Sequence, residues 1–325
     1  MDTNIQVQKR SLGKTGIMVT PIGLGVMEMS GGGGMMGFVF PVIPQEEKNK
    51  IIRAALDGGI NWFDTAELYG AGVSEQSLAT ALKNAGKADG EVVVATKWFP
   101  IFRTAKNIPR TIQNRLRFLD GYSIGLYMVH NPGGFSSPEA EMDAMADLVE
   151  AGKIRSVGVS NFDPSQMRRA HRALQKRGLP LAVNQVHYNL LHRDIETDGI
   201  LETAKELGIT IVAYTPLANG LLSGKYHKNP ELVFTKGLFW RKRIQRSLEA
   251  SRPLVKALEE IAGKYGVTTA QVALNWLVNF SGETVVAIPG ATKVQQAAEA
   301  AGAMKFTLPE EDLARLDELS RIFRP

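Results

Sequence analysis

A strand-and-helix cadence of about 30 residues constrains this chain more than any other feature. Short β-branched or apolar runs start at Ile60 (INWFD), Val92 (VVVATK), Ile124 (IGLYMVH), Ile154 (IRSVGVS), Leu181 (LAVNQV) and Thr210 (TIVAYT), with spacings of 32, 32, 30, 27 and 29 residues. Helix punctuation lies between them. Ser137 before Pro138 and Asp163 before Pro164 read as N-caps followed by proline in the first turn, and Gly152 and Gly208 read as helix stops. Parallel strands need crossover connections of this length, so the pattern predicts a parallel sheet with helices packed on it. Adding PIGLG near Ile22 and TVVAIPG from Thr284 brings the strands to eight, the number that closes a (β/α)8 TIM barrel. A doubly wound open sheet is the alternative.

Two segments depart from the cadence. VQKRSLGKTGIMVT, within residues 7–20, turns at Gly13 to Gly16 and reads as an N-terminal β-hairpin plugging the barrel floor. Residues 217–251 form a long insertion after the seventh strand, on the face where βα loops build active sites, and are expected to lie over a ligand. With no Pro-, Ser- or charge-rich linker elsewhere, residues 1–325 are expected to form one domain. The chain has no cysteine, which removes disulfides, thiolate catalysis and Cys-ligated metals. MDTNIQVQKR is polar, and no run of about 18 apolar residues follows, so a soluble, cytoplasmic protein is expected.

The segment GGGMMG at Gly32 to Gly37 formally satisfies G-x-G-x-x-G, with Asp57 20 residues beyond it. Its context opposes that reading. Pro41 and Pro44 stand where a phosphate-binding helix must begin, and Asp57 ends a helix instead of a strand. The polar residues at the predicted strand ends carry more weight: Asp64, Lys97, His130, Ser160 with Asn161, Gln185, and Tyr214 with Thr215, while Tyr69 follows Asp64 by five residues. At these positions GGINWFDTAELYG, ATKW, MVHNP, VGVSNF, NQVHYN, AYTPLANGLLSGKY and IPGATKV resemble the aldo-keto reductase superfamily, in order, from the second strand to the eighth.

That resemblance implies reduction of aldehydes and ketones with NADP(H), through a tetrad of Asp64, Tyr69, Lys97 and His130. The chemistry is consistent with it. A carbonyl that receives hydride develops negative charge on oxygen and needs a proton donor with hydrogen-bonding or positive groups beside it. Tyr69 would be the donor, Lys97 is expected to lower the phenol pKa, Asp64 to hold Lys97, and His130 to donate to the carbonyl oxygen. The resemblance also places Ser160, Asn161 and Gln185 on the nicotinamide carboxamide and stacks Tyr214 on its ring. Thr215, Pro216, Leu217, Leu222 and Lys225 would follow the pyrophosphate. Pro289, Gly290, Ala291, Lys293 and Gln296 would surround the adenosine phosphate, with Glu299 near the adenine. Gln296 stands where many relatives have arginine and Ala300 where they have asparagine, so Lys293 is expected to carry the 2′-phosphate preference. Gly125 replaces a common aspartate, a change expected to touch structure more than chemistry. Met29, Phe38, Trp98, Phe99 and Trp240 are expected to line an apolar substrate mouth.

Competing readings are a cofactor-binding regulatory subunit resembling channel β subunits, and a Schiff-base aldolase using Lys97, which would want an unpaired lysine. WRKR at Trp240 to Arg243 is a single basic cluster, too little for nucleic-acid binding. His187 and His192 lack companions at metal-ligand spacing, so no metal is expected. The expected partner is a small carbonyl compound, with no nucleic acid and no membrane.

Overall fold

The computed structural model describes residues 7–34, 41–235, 241, 244–245 and 247–325. Phe38 and Trp240, expected at the substrate mouth, lie outside these residues. An antiparallel hairpin, β1 (Arg10–Ser11) and β2 (Met18–Val19), precedes eight parallel strands. These are β3 (Leu24–Gly25), β4 (Trp62–Asp64), β5 (Val93–Trp98), β6 (Ile124–Val129), β7 (Val157–Ser160), β8 (Leu181–His187), β9 (Thr210–Tyr214) and β10 (Val285–Ile288). Each pairs with its neighbour in the chain. The ring closes where the Gly23 and Gly25 N–H groups donate to the Ala287 and Pro289 carbonyls at 2.8 and 3.0 Å. The fold is thus a (β/α)8 barrel with a floor hairpin.

Helices α1 (Gln45–Asp57), α2 (Val73–Asn84), α3 (Ile108–Phe118), α4 (Pro138–Glu150), α5 (Pro164–Gln175) and α6 (Ile200–Leu207) alternate with the strands. Between β9 and β10 lie α7 (Lys225–Lys228), α8 (Arg252–Tyr265) and α9 (Thr269–Asn279), and α10 (Val294–Gly302) and α11 (Glu310–Ser320) complete the chain. The sequence punctuation acts as its chemistry requires. Asp163 and Gln166 form a reciprocal capping box at α5, Ser137 accepts from the Ala140 N–H at α4, and Gly208 ends α6 at φ 69°.

Strand period positions the site. Side chains alternate between the barrel interior and the helical layer. Trp62, Val93, Ala95, Leu126, Met128, Val183, Val212 and Val286 fill the interior above Leu12, Ile17 and Val19 of the hairpin region. Their neighbours Phe63, Val94, Tyr127, Val129, Val159 and Ile211 pack against the helices in a separate core. Two residues beyond the interior apolar layer, on the same face, stand Asp64, Lys97, His130, Gln185 and Tyr214. Gly125, where the aspartate is missing, lies in the wall with Val93 Cγ1 2.7 Å from any added Cβ.

Candidate active site

Buried charge defines the centre of the mouth. Lys97 Nζ donates to Asp64 Oδ1 at 2.5 Å and to the Thr65 carbonyl at 2.9 Å, while Gln185 Nε2 donates to Asp64 Oδ2 at 2.9 Å. Lys97 is fully enclosed and lies 5.1 Å from the Tyr69 ring centroid. The Tyr69 and His130 rings meet edge to face at 5.7 Å, and Phe99 closes on His130 in the same way at 6.0 Å. The four expected catalytic residues therefore converge, and the Lys97–Asp64 pair is the opposite of the unpaired lysine a Schiff-base enzyme wants.

Their electrostatics correct one expectation. The Tyr69 phenol is held well above its ordinary pKa, first by burial and then by Asp64, Glu28 and Tyr214, so Lys97 does not win in this state. Burial lowers the Lys97 pKa and Asp64 draws it back up. Burial, followed by the Lys97 charge, pulls His130 down to about 3, which leaves a neutral imidazole at physiological pH.

A cleft of about 1440 Å³ runs from Tyr69 and His130 to Glu299. It is lined by Ser160, Asn161, Gln185, Tyr214, Thr215, Pro216, Leu217, Lys225, Pro289, Gly290, Lys293, Gln296 and Glu299. Ser160 Oγ donates to the Gln185 carbonyl at 2.8 Å, and Asn161 Nδ2 to Asn131 Oδ1 at 2.8 Å. Tyr214 Oη donates to Asn161 Oδ1 at 3.1 Å. Because Gln185 commits its amide nitrogen to Asp64, its Oε1 is the acceptor left for a ligand amide. Asn161 and Thr215 hold φ values of 59° and 52°, in the left-handed region that a β-branched residue rarely enters.

Several expected contacts fall elsewhere. Leu222 and Ala291 are buried and do not line the cleft. Met29 and Trp98 are fully buried in the outer core, so neither lines a substrate mouth. Trp98 follows the inward Lys97 and therefore points out, its Nε1 donating to Asn107 Oδ1 at 2.9 Å. Met27 and Glu28 face the cleft in place of Met29. Gln296 lines the cleft, and its Oε1 accepts from the Thr292 N–H, the Thr292 hydroxyl and the Lys293 N–H at 2.8, 3.1 and 3.1 Å. Lys293 is exposed at the start of α10.

Two acids escaped the sequence reading. Glu67 Oε1 accepts from the Phe99 N–H at 2.6 Å and from Arg103 Nη1 at 2.5 Å, and its Oε2 accepts from Arg115 Nη1 at 2.7 Å. It ties the Tyr69 loop to the loop after β5. The one available signal was an acid inside DTAELY. Glu28 Oε2 is enclosed without a partner, and burial raises its pKa. Its signal was an acid between methionines in VMEMS.

Known proteins resemble this chain along nearly its whole length. The Aldo/keto reductase family model matches residues 21–321. An uncharacterized oxidoreductase of Mycobacterium tuberculosis is 37% identical over 282 residues, covering 85% of this chain and 82% of the relative. The chloroplastic pyridoxal reductase of Arabidopsis thaliana is 32% identical over 313 residues, covering 93% and 83%. A thermostable aldo-keto reductase solved with the inhibitor epalrestat superimposes with a TM-score of 0.75 at 33% identity, covering 96% of this chain and 99% of that one. An aldo-keto reductase of Klebsiella pneumoniae solved with NADPH gives 0.74 at 27% identity, covering 98% and 97%. The chain belongs to the aldo/keto reductase family.

Proposed function

We propose that this oxidoreductase reduces aldehydes and ketones to alcohols with NADP(H), with Tyr69 as the proton donor. The observation that carries the reading is the Lys97–Asp64 pair beneath Tyr69 and His130, at the head of a cleft long enough for a dinucleotide. The donor set fits the cofactor: amide and hydroxyl groups at Ser160, Asn161 and Gln185, a ring at Tyr214, and cations at Lys225 and Lys293. Bound NADPH supplies hydride to the carbonyl carbon. Tyr69 stays protonated through the neutral range and delivers its proton as the carbonyl oxygen becomes alkoxide-like. His130, neutral, donates a hydrogen bond to that oxygen. Lys97 and Asp64 fix the floor of the site.

In this reading residues 1–325 act as one domain, and the 217–251 loop covers the cofactor, held by Leu221, Tyr226, Val233 and Ile244 in their own apolar cluster. Among the described residues no helix is long and apolar enough to cross a membrane. The test is NADPH oxidation across a panel of aldehydes and ketones in wild type and Tyr69→Phe. The variant is expected to lose about 10²–10⁴ in kcat, the usual worth of a positioned acid, while its NADPH Kd stays within about twofold. Wild-type kcat in Tyr69→Phe would remove Tyr69 as the acid.

A further inference from the structure

We propose that His187 is a positioning residue for the nicotinamide end of the cofactor, acting through Tyr214. This rests on the reading that Tyr214 stacks on that ring. His187 ends β8 and is the register partner of Tyr214 on β9. Its imidazole lies parallel to the Tyr214 ring, with centroids 5.4 Å apart and an interplanar angle of 7°. His192 stacks on His187 in turn, at 3.9 Å and 25°, and His192 Nε2 lies 3.1 Å from Asp194 Oδ2. Three rings thus form a column whose inner end is Tyr214. Tyr214 lines the large cleft, whereas His187 and His192 line a separate small cavity of about 70 Å³ behind it.

Hydrogen bonds set the column. Asn189 Oδ1 accepts from the Leu191 N–H at 2.8 Å and its Nδ2 donates to the Thr215 carbonyl at 3.0 Å, so backbone groups fix which way this amide points. The same Nδ2 lies 3.2 Å from His187 Nε2, which must accept from it. An amide nitrogen only donates, so Nε2 takes the accepting role in this contact. One amide therefore holds both the backing ring and the strained backbone after Tyr214. At the far edge of the Tyr214 ring, its hydroxyl donates to Asn161 Oδ1 at 3.1 Å. The ring is pinned by its face and by its tip, which fixes the tilt of the surface offered to the cleft.

Tilt matters here because hydride transfer tolerates misplacement of well under about 1 Å. The experiment measures the Kd of NADPH, by quenching of protein fluorescence, in wild type, His187→Ala, His187→Phe and Tyr214→Leu. Adenosine 2′,5′-bisphosphate, which lacks nicotinamide, is titrated in parallel by calorimetry. His187→Ala is expected to weaken NADPH about two- to tenfold, the worth of one stacked pair, with the bisphosphate unchanged. His187→Phe restores the ring and should recover NADPH binding to within about twofold. Tyr214→Leu should lose at least as much as His187→Ala. Wild-type NADPH affinity in His187→Ala, beside a weakened Tyr214→Leu, would overturn the proposal alone. Unchanged binding in Tyr214→Leu would remove the stacking reading beneath it. Equal losses for NADPH and the bisphosphate, or failure of phenylalanine to restore binding, would also overturn it.

Discussion

The two ends of the barrel are built from the same strands on opposite principles. At the floor, chain reversals turn on glycines such as Gly152 and Gly178, at φ 65° and 69° with nothing within 4 Å of an added Cβ, and the interior is sealed by Leu12, Ile17 and Val19. At the mouth, Ala71, Phe102, Asn161, Thr215, Ala218 and Asn219 hold φ between 48° and 60° without being glycine. Asp120 is the one floor residue of that kind among those described. Each such residue costs on the order of 1–3 kcal/mol. The mouth also buries Asp64, Lys97, Glu67, Glu75 and Arg115, of which Glu75 contacts both Thr96 and Arg115. The floor is optimised for stability, and the mouth holds side chains in costly places where chemistry needs them.

That division can be broken from either side. The largest effect is expected at the mouth: Lys97→Met should lower kcat for an aldehyde by about 10² or more, and should cost about 3–5 kcal/mol in urea unfolding because Asp64 is left unpaired. Near-normal turnover would detach the buried pair from catalysis. The floor counterpart is Leu12→Ala, which should cost about 2–5 kcal/mol with kcat unchanged. A matching fall in kcat would show that floor packing reaches the reaction.

Smaller effects sharpen the comparison at the rim. Lys293→Ala should lower the NADPH to NADH affinity ratio about tenfold, the low end for a charge-assisted contact because this lysine is solvated. An unchanged ratio from paired Kd measurements would place discrimination elsewhere. Thr215→Gly should gain about 1 kcal/mol of stability by releasing strain while weakening NADPH binding, and a loss of stability would show the strain is absent. The mildest signature is in pH. His130 has its folded pKa depressed to about 3, so it stays neutral down to far below the ordinary value near 6.5, and acidification between those limits favours the unfolded chain. Its imidazole NMR shifts should remain flat from pH 8 to 5. A titration near 6.5 would contradict the buried, neutral donor.

Strand order, helix caps and the convergent tetrad were legible in the sequence because each rests on a local rule: period, capping chemistry, or the end of a strand. What escaped depended on which way a residue faces. Trp98 was expected at the mouth although its neighbour Lys97 points inward, so strand alternation already sent it outward. Gln296 was read by position against relatives, while its amide was needed nearer home, on the Thr292 and Lys293 N–H groups. Glu67 and His187 matter through residues far off in the chain, Arg115 and Tyr214, and no spacing rule joins such pairs.

The hairpin at the floor carries a consequence for the order of assembly. Arg10 Nη1 donates to the Val278 and Val285 carbonyls at 2.5 and 2.7 Å, and Arg10 Nη2 to Asn279 Oδ1 at 3.1 Å, contacts that join residues as far as 275 apart. Closing so long a loop carries a chain-entropy cost, and it can happen only once α9 and β10 exist. The first described strand of the molecule is therefore locked in place by residues near the other end of the chain.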